Sequence, residues 1–330
     1  MEKPVSMIKR LIKLLADGEV HSGEALGEAL GVSRTAVWKQ LKKVEELGIQ
    51  IQSVKGQGYQ LEGRLQLLEE DRIRSGLSDK AKQALTQLEL FDQVDSTNTY
   101  LVNKAGESSI QGHVCLAEQQ LSGRGRRGRS WLSPFGSNLY ISIGWEFEGG
   151  LAALDGLSLA VGVSVVRGLK ALVGDSNIKL KWPNDVLLSQ RKLGGILVEL
   201  QGDPQGKCQV VVGVGLNVQM GSHADALPDQ PWAELSELGV SDRNLAASVV
   251  ISAMVEGLLE FQLNGFASFH QEWTRLDACK DKSVNLITAN STLSGIARGV
   301  RADGAILIEH KDVVKPYHGG EISLRIAHDS

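Results

Sequence analysis

Apolar residues recur at helical spacing three times in the first fifty positions of the chain. The spacing predicts helices over residues 7–15, 24–30 and 34–43. Ser22 and Ser33 stand before the second and third of these segments, where a side-chain oxygen can cap a helix. A short turn containing a glycine separates the two helices. The N-terminal region is therefore predicted to hold three helices.

Beyond these helices the spacing of apolar residues changes from helical to alternating. Residues 49–54 alternate apolar and polar side chains, and the glycine-containing segment 55–58 turns them into residues 59–61. This pattern predicts a β-hairpin. Three helices followed by a hairpin are typical of a winged helix-turn-helix.

The outward face of the third predicted helix is polar and basic, as a helix that enters the major groove of DNA must be. The candidate DNA-contacting residues on this face are Arg34, Thr35, Trp38, Lys39, Lys42 and Lys43. The alternative is a small helical protein-interaction domain whose lysines are only solvated. The short glycine turn, the capping Ser33 and the basic helix occur together, which favours DNA binding.

The centre of the chain alternates apolar strands with helical stretches, which predicts a mixed α/β core. Residues 62–90 are polar and charged with scattered leucines, and we expect a linker and a lead-in helix there. Helices are predicted over residues 157–173 and 244–261. The predicted strands are residues 114–117, 138–145, 178–182, 196–200 and 210–216.

From Ser283 onward the pattern changes again, to short strands. They are predicted at residues 284–288, 295–301 and 305–309, with a hairpin turn at 302–304. The chain is therefore expected to have an α+β, multidomain fold. Its length of 330 residues exceeds one ordinary core. The expected domains are residues 1–64, 65–280 and 281–330.

Composition narrows the class of protein. Hydrophobic residues make up 42% and charged residues 22% of the chain, which is ordinary for a globular protein. We expect a cytoplasmic protein without a membrane partner, because no apolar run looks long enough for a bilayer and the first ten residues lack a signal cleavage site. Three separated cysteines and no HExxH motif predict neither a disulfide framework nor a metal site. The net charge is +2 over residues 1–64 and −6 over the remainder, which permits a DNA-binding N-terminus.

Residues 123–129 read Gly-Arg-Gly-Arg-Arg-Gly-Arg and are followed by Ser130 and Trp131. Glycines let the backbone approach a ligand closely, and arginine side chains bind phosphate through two parallel hydrogen bonds. The alternative is a disordered RGG-like segment or a flexible basic loop. A position between two predicted strands favours a phosphate-handling loop that is mobile until its ligand arrives. No GxxxxGK[ST] motif occurs, so ATP would be held in another way.

Three other polar segments are candidates for chemistry. Residues 181–185, Lys-Trp-Pro-Asn-Asp, leave a predicted strand and turn at the proline. Lys192 precedes a predicted Gly-Gly turn and could project its ammonium into a pocket, although a surface lysine in a hairpin is the alternative. Residues 95–98, Asp-Ser-Thr-Asn, offer hydroxyls and an amide in a turn, and alone they predict only a helix cap.

Five segments occur in the order found in biotin protein ligases. They are residues 95–98, Gln120 with residues 123–129, residues 181–185, residues 192–197 and residues 213–217. Together with the winged helix, they make the chain similar to the bifunctional bacterial ligases that also repress the biotin operon. The similarity covers essentially the whole chain. It implies a central ligase domain and a small SH3-like β-barrel at the C-terminal end.

The resemblance also implies the roles of individual residues. The biotin-binding positions of the family correspond to Ser96, Thr97, Asn98, Gln120, Arg124, Gly125, Arg126 and Lys192. The nucleotide-binding positions correspond to Asn217 and, matched by position alone, Trp232. Among the biotin-binding residues, Arg124, Arg126 and Lys192 are the expected catalytic cations.

The reaction that the resemblance implies has two steps. Biotin's carboxylate attacks the α-phosphate of ATP and gives biotinyl-5′-AMP, and a carrier lysine then attacks this anhydride. Both steps concentrate negative charge on phosphate oxygens, which fixed cations stabilise without a covalent enzyme nucleophile. Mg²⁺ is expected with ATP, and Asp185 is a candidate ligand. Glu321 and Arg325 are expected either beside the nucleotide or on a plain barrel rim.

The implied partners are a biotin carboxyl carrier protein, operator DNA and a second copy of the chain, which would pair on binding biotinyl-AMP. Two other function classes are open at this point. A ligand-responsive repressor that has lost catalysis would lack Lys192 or an intact arginine loop, and this sequence has both. A lipoate or octanoate ligase would share the fold, but the arginine loop together with the winged helix favours biotin.

Overall fold

The computed structural model describes residues 7–62, 65–202, 206–220, 231–288, 291–319 and 322–327. The helices are α1 (Met7–Leu15), α2 (Gly23–Leu30), α3 (Arg34–Glu46), α4 (Glu70–Gly76), α5 (Asp79–Ala84), α6 (Thr97–Ala105), α7 (Leu157–Val173), α8 (Arg243–Asn264) and α9 (Ala267–Leu276). The strands are β1 (Ile51–Val54), β2 (Gly58–Leu61), β3 (Gln87–Val94), β4 (His113–Gln120), β5 (Leu139–Phe147), β6 (Ile178–Lys181), β7 (Asp185–Leu188), β8 (Arg191–Gly202), β9 (Cys208–Leu216), β10 (Ser283–Ile287), β11 (Thr292–Val300), β12 (Ile306–His310), β13 (Val313–Tyr317) and β14 (Ser323–Ile326).

The N-terminal region contains the predicted three helices and hairpin. The Ser22 hydroxyl accepts a hydrogen bond from the Ala25 amide at 3.0 Å, and α2 begins there. The Ser33 hydroxyl accepts from the Ala36 amide at 3.3 Å, and α3 begins there. Gly31 ends α2 with φ 70°, a left-handed conformation that favours glycine. β1 and β2 pair antiparallel and form the wing.

Seven strands form the central sheet in the order β3-β4-β5-β9-β8-β7-β6. β3 and β4 are parallel, and the other neighbouring pairs are antiparallel. The two faces of the sheet differ because side chains alternate along each strand. On β9, Val210 and Val212 join the main core with α7 and α8, whereas Val211 joins a smaller cluster with α6. Helix α6 therefore lies on the opposite face from α7 and α8.

Residues 62–90 contain more structure than the predicted linker and lead-in helix. They hold α4 and α5, and β3 begins within them at Gln87. The pattern of apolar residues did not predict β3, because β3 is an edge strand with one neighbour and only Leu88 among its residues is fully buried. Such a strand can be rich in polar side chains. The prediction for this segment was incomplete.

Helix α8 is long and apolar enough to cross a membrane by length and composition, so the expectation that no apolar run is long enough for a bilayer was wrong. Inside the protein, 67% of its most apolar window is buried. It packs against α7 and against the short helices α4 and α5. Burial of this extent is expected of a helix that forms the protein core.

The N-terminal and central domains share an apolar cluster. Leu67 follows the wing, and Phe135 lies in the connection between β4 and β5; both are buried together with the core of the three helices. Beside them, Arg243 and Glu118 form an ion pair at 2.8 Å with side chains that are 3% and 0% exposed. Arg243 also donates to the Gln66 carbonyl at 2.6 Å. The segment that joins the two domains is thereby fastened to β4 and α8 of the central domain.

Five antiparallel strands form the C-terminal sheet in the order β13-β12-β11-β10-β14. β13 and β14 are its two edges, and among the described residues no pairing between them closes the sheet. The predicted SH3-like barrel is therefore not confirmed, and the structure shows an open β-sheet. Trp182, in the turn before β7, donates from its indole nitrogen to the Gly304 carbonyl at 3.0 Å and ties this domain to the central one.

Candidate active site

A large cavity opens on the α6 side of the central sheet, with a volume of about 1340 Å³. Ordinary small-molecule sites have volumes of roughly 300–1,000 Å³, so this cavity has room for two reactants side by side. Its lining brings together all five segments that carry the resemblance to biotin protein ligases. The predicted residues on its wall are Ser96, Thr97, Asn98, Gln120, Arg124, Gly125, Arg126, Asp185, Lys192, Asn217, Trp232 and Arg325.

The start of α6 carries a buried polar cluster. Ser96, Thr97 and Asn98 are all buried. The Thr97 amide donates to the Gln120 side-chain oxygen at 2.9 Å. The Ser142 hydroxyl, on β5, lies 2.7 Å from Thr97 Oγ1 and 2.6 Å from Asn98 Oδ1. Three predicted residues from two distant segments, Thr97, Asn98 and Gln120, thus form one hydrogen-bonded group with Ser142, which the sequence did not reveal.

Asn98 lies against the sheet because β9 has a glycine beneath it. A Cβ atom at Gly213 would come within 2.1 Å of Asn98 Oδ1. The Asn98 amide nitrogen donates to the Leu197 carbonyl at 3.2 Å and to Glu199 Oε2 at 2.9 Å. The absence of a side chain at position 213 therefore sets the depth at which the α6 polar cluster sits.

The arginines of the loop point to different partners. Arg124 donates to the Glu199 carboxylate on β8. Arg126 donates to Asn184 Oδ1 and to the Ile322 carbonyl, both at 3.3 Å. Burial lowers the pKa of Arg126. The charge of Arg124 is thus paired with a carboxylate, and the Arg126 guanidinium contacts an amide oxygen and a backbone carbonyl.

Asp185 lies between two lysine ammonium groups. Lys181 Nζ is 2.7 Å from one of its oxygens, and Lys192 Nζ is 2.8 Å from the other. Burial acts to raise the pKa of Asp185, but the two ammonium groups outweigh burial and the pKa is lowered. The site therefore holds one carboxylate and two cations at neutral pH, a net positive charge facing the cavity.

Lys192 does not precede a turn, so that prediction was wrong. It lies near the beginning of β8, and both glycines that follow, Gly194 and Gly195, are inside the strand. The turn before β8 is made by Ser189 and Gln190, with φ values of 48° and 68°. A register shift between β7 and β8 follows Lys192. Such a bulge redirects side chains, and here Lys192 reaches the cavity.

Trp131 forms a wall of the cavity that the sequence did not identify. A Cβ atom at Gly215 would come within 2.6 Å of the indole, so the ring lies on this glycine. Lys192 Nζ is 5.5 Å from the ring centroid, a distance at which a cation and an aromatic face attract each other. Trp131 Nε1 is buried and has no hydrogen-bond partner among the described residues.

Asn217 and Trp232 stand together beside Lys192. The Asn217 amide nitrogen donates to the Lys192 carbonyl at 3.2 Å and to the Ala233 carbonyl at 3.0 Å. The backbone at Trp232 forms a parallel bridge with Lys192. Asn217 therefore fixes the wall that carries Lys192, in addition to lining the cavity. Most of the connection between positions 220 and 231, and Glu321, lie outside the described residues.

Family models match three parts of the chain. Residues 90–217 match the biotin/lipoate A/B protein ligase family, residues 8–60 match an HTH domain, and residues 281–325 match the biotin protein ligase C terminal domain. The bifunctional ligase/repressor BirA of Salmonella typhimurium is 44% identical over 318 residues, covering 96% of this chain and 97% of that protein. BirA of Escherichia coli is 42% identical over 324 residues, with the same coverage of both. This chain belongs to the bifunctional ligase/repressor family of biotin protein ligases.

A solved structure supports the fold of this ligase. The biotin protein ligase from Aquifex aeolicus in complex with biotin and ATP has a TM-score of 0.63 and 29% sequence identity. The match covers 74% of this chain and 100% of that one. The remainder of this ligase lies outside the part shared with the Aquifex enzyme.

The predicted DNA-contacting residues of the ligase share one surface. Arg34, Thr35, Trp38, Lys39, Lys42 and Lys43 are all exposed on α3. Trp38 is 51% exposed, and Lys42 Nζ is 6.0 Å from its ring centroid. Val37, Leu41 and Val44 form the buried side of the same helix. The helix therefore presents its basic face outward, as the sequence predicted.

Several residues of the ligase cavity were not found from the sequence. Ser142, Gly213 and Gly215 come together because β5 and β9 pair in register, with Ser142 opposite Gly213. The spacing of Gly213 and Gly215 places both on one face of a strand, which is the signal that could have marked a ligand-facing surface. Trp131 follows the arginine loop directly, and an aromatic residue there was noted without a role.

Proposed function

We propose that this biotin protein ligase activates biotin with ATP in the described cavity and transfers it to a lysine of a biotin carboxyl carrier protein. The observation that carries the proposal is the meeting, in one cavity, of the buried α6 polar cluster and the cations Arg126 and Lys192. The first group suits a neutral polar ligand, and the second suits phosphate.

Biotin would bind at the start of α6 and along the arginine loop. Thr97, Asn98 and Gln120 already form one hydrogen-bonded group, and Ser96 and Gly125 line the same wall. Trp131 offers an apolar ring and an unused indole N–H beside this group. A ligand with both a polar ring and an apolar chain is matched by such a lining.

The cations would stabilise the transition states of both steps. When biotin's carboxylate attacks the α-phosphate, pyrophosphate leaves; when the carrier amine attacks the anhydride, AMP leaves. Negative charge grows on phosphate oxygens in each case, and preorganised cations are worth more there than in water. Lys192 and Arg126 face the cavity and supply this charge. The Arg124 guanidinium, already paired with Glu199, would hold the loop in place.

The nucleotide would lie toward Asn217, Trp232 and Arg325. All three line the cavity, and Arg325 comes from β14 of the C-terminal sheet. Arg127 also donates to Ser323 of that strand at 3.0 Å. The C-terminal domain therefore contributes to the proposed nucleotide site through the arginine loop as well as through its own side chain.

Mg²⁺ is expected with ATP, but the described residues do not offer it an obvious site. Asp185 is the only Asp or Glu among the described residues of the cavity wall, and lysines bind both of its oxygens. Magnesium usually takes one or two carboxylates in addition to phosphate oxygens. No step of the proposed mechanism depends on the metal.

The repressor activity would use α3 and the wing on operator DNA. Two such domains in a symmetric dimer would bind two half-sites together, so we propose that biotinyl-AMP promotes pairing of two copies. An anionic ligand that orders the loop around Arg124 and Arg126 would lower the entropy lost on pairing. The proposal places the protein in the cytoplasm.

We also propose domains at residues 1–64, 65–280 and 281–330, with an SH3-like C-terminal domain. The three family-model matches, residues 8–60, 90–217 and 281–325, each fall inside one of these units. An antiparallel order with a register shift between Ala297 and Val300 of β11 supports the last assignment, since a bulge curves a sheet.

The ligase function is tested by transfer of labelled biotin. The full chain is incubated with ATP, labelled biotin and a biotin carboxyl carrier domain, and the carrier is analysed for label. We expect label on the carrier that depends on ATP and is absent when the acceptor lysine is replaced by arginine. Transfer of lipoate or octanoate in preference to biotin would contradict the assignment.

A further inference from the structure

Glu199 has no part in the reaction described above, yet it connects two parts of the site. One carboxylate oxygen accepts from Arg124 Nη2, and the other accepts from Asn98 Nδ2 at 2.9 Å. The Glu199 side chain is 25% exposed. Arg124 belongs to the arginine loop and Asn98 to the start of α6, so a single carboxylate links both sides of the proposed biotin site.

The position of Glu199 follows from the register of β8. Gly195 and Leu197 line the cavity, and Glu199 is the next residue on the same face of the strand. It pairs with Val211 on β9, two residues before Gly213. The carboxylate therefore stands just beyond the cavity wall, behind the residues that would touch the ligand.

We propose that Glu199 is a positioning residue for biotin, which holds the Asn98 amide and the Arg124 guanidinium in the orientation that biotin binding requires. This role rests on the proposed assignment of Thr97, Asn98 and Arg124 to the biotin site. Glu199 acts through these residues and does not itself touch the ligand.

Glu199 and the Leu197 carbonyl together fix the orientation of the Asn98 amide, because both accept hydrogen bonds from its nitrogen. A carboxylate only accepts hydrogen bonds, so the Asn98 nitrogen faces Glu199 and the oxygen faces Ser142. The Ser142 hydroxyl has one proton and lies within hydrogen-bond distance of both Asn98 Oδ1 and Thr97 Oγ1. Because the Asn98 oxygen can only accept, that proton goes to Asn98.

This arrangement decides what Thr97 offers to a ligand. With the Ser142 proton given to Asn98, the Thr97 hydroxyl donates within the cluster, to Ser142 or to Gln120 at 3.1 Å. Its oxygen then presents a lone pair to the cavity. A ligand at this place must donate a hydrogen bond, as the ureido N–H of biotin does. Glu199 thus determines, through Asn98 and Ser142, that Thr97 presents a hydrogen-bond acceptor to the ligand.

The contact between Glu199 and Arg124 positions the arginine loop, which is the second part of the proposed role. The loop contains three glycines, and its backbone is closed by hydrogen bonds from Gly125 to Arg129 at 2.7 Å and from Trp131 to Gly123 at 2.8 Å. A charge-assisted hydrogen bond to Glu199 fixes Arg124 and the backbone beside it. It also neutralises the charge of Arg124, which leaves Arg126 and Lys192 as the cations for phosphate.

The test is the Glu199→Gln variant. Glutamine has one acceptor and one donor group, so it can satisfy Asn98 or Arg124 but not both. In steady-state pyrophosphate release, we expect the KM for biotin to rise about tenfold, the usual effect of losing one charge-assisted hydrogen bond. The KM for ATP and the kcat at saturating biotin should stay within about twofold.

Two controls separate positioning from general stability. Glu146→Gln changes a carboxylate of the same sheet that pairs with Lys207 away from the cavity, and it should leave both KM values unchanged. Arg124→Gln should raise the KM for biotin, and the double variant Glu199→Gln/Arg124→Gln should be less impaired than the two single effects combined. Thermal unfolding of each variant records its stability.

An unchanged KM for biotin in Glu199→Gln would overturn the role of Glu199. Parallel increases of both KM values with a lower Tm would also overturn it, since they indicate a structural contribution only. Fully additive effects in the double variant would contradict the proposed coupling between Glu199 and Arg124. Wild-type protein that releases no pyrophosphate with biotin would contradict the ligase function itself, and this role with it.

Discussion

Lys192 and Lys181 share the carboxylate of Asp185, and this arrangement decides how the cavity is charged. The carboxylate orients both ammonium groups but neutralises only one of them. Lys192 also lies over the ring of Trp131, which limits its movement. A lysine held in this way loses little entropy when phosphate charge develops nearby, as electrostatic catalysis requires.

Lys192→Ala is therefore expected to slow biotinyl-AMP formation by at least about 100-fold, because a preorganised cation at the reacting phosphate is lost. The measurement is pyrophosphate release at saturating biotin and ATP. Lys179→Ala is the matched control, since Lys179 lies on β6 and donates to the Arg275 carbonyl outside the cavity. Near wild-type turnover in Lys192→Ala would remove this residue from the mechanism.

The buried carboxyl of Asp277 is expected to make the stability of the protein depend on pH. Burial raises the pKa of Asp277 to about 6 from an ordinary value of 3.8. Its contribution to stability is complete below pH 3.8 and is lost as the pH rises through 6. Asp277→Asn should therefore unfold with a free energy about 3 kcal/mol higher than wild type at pH 8, and with no advantage near pH 4.

Chemical denaturation at the two pH values measures this difference. Asp175→Asn is the control, because the Asp175 side chain is 99% exposed and should show no pH-dependent gain. Equal stability of Asp277→Asn and wild type at pH 8 would show that ionisation of the buried carboxyl does not lower the free energy of unfolding.

At the residue scale, sequence order was enough to name the α6 cluster, the arginine loop and Lys192. It gave no role to Trp131 and did not name Ser142 or Glu199. Ser142 and Glu199 become neighbours of the site through strand register, which pairs Ser142 with Gly213 and places Glu199 on the cavity face. Register depends on pairing between distant segments, and a single sequence does not contain it in readable form.

At the scale of elements, predictions succeeded where burial was continuous. Helix α7 covers Leu157–Val173, the range that the spacing predicted, because most of its residues are buried between sheet and helix. The strand β3 was missed because it is a polar edge, and the glycines after Lys192 were taken for a turn. The strand needs a glycine at position 194, because a Cβ there would meet the Gly215 carbonyl at 2.6 Å.

The arginine loop is the element whose movement the mechanism uses. Arg126→Gly removes the contacts to Asn184 and Ile322, so the loop should release the adenylate before a carrier arrives. We expect biotinylation of unrelated proteins in the same solution. Streptavidin blotting of a mixture of bystander proteins measures it.

Arg127→Gly is the matched control for the loop. Arg127 has φ 59°, a conformation that glycine adopts without strain, and its guanidinium donates to the Ser323 hydroxyl at 3.0 Å. Promiscuous labelling by Arg126→Gly that does not exceed that of wild type would argue against retention by Arg126.

At the scale of the whole molecule, one buried ion pair fixes the start of the central domain, directly after the winged helix. Arg243 begins α8, pairs with Glu118 on β4 and binds the Gln66 carbonyl of the segment that leads to the winged helix. Phe135, in the same connection as the arginine loop, packs against the N-terminal core. The ligand-side loop and the DNA-binding domain are therefore in physical contact through a few residues.

Arg243→Ala should lower the free energy of unfolding by about 3–5 kcal/mol, because it leaves the Glu118 charge buried without its cation. Denaturant unfolding followed by circular dichroism measures the loss. The control is Arg72→Ala, which breaks an exposed pair with Asp242 and should cost about 1 kcal/mol or less. Equal effects of the two substitutions would show that the buried pair does not hold the junction.

We propose that one chain makes biotinyl-AMP and that this product causes two copies of the chain to pair. Sedimentation velocity of the full chain with biotin and ATP tests synthesis and pairing together. Wild-type protein should shift from monomer to dimer only when both substrates are present. Lys192→Ala, which should not make the adenylate, should remain monomeric under the same conditions. Wild-type protein that stays monomeric with both substrates would contradict the account.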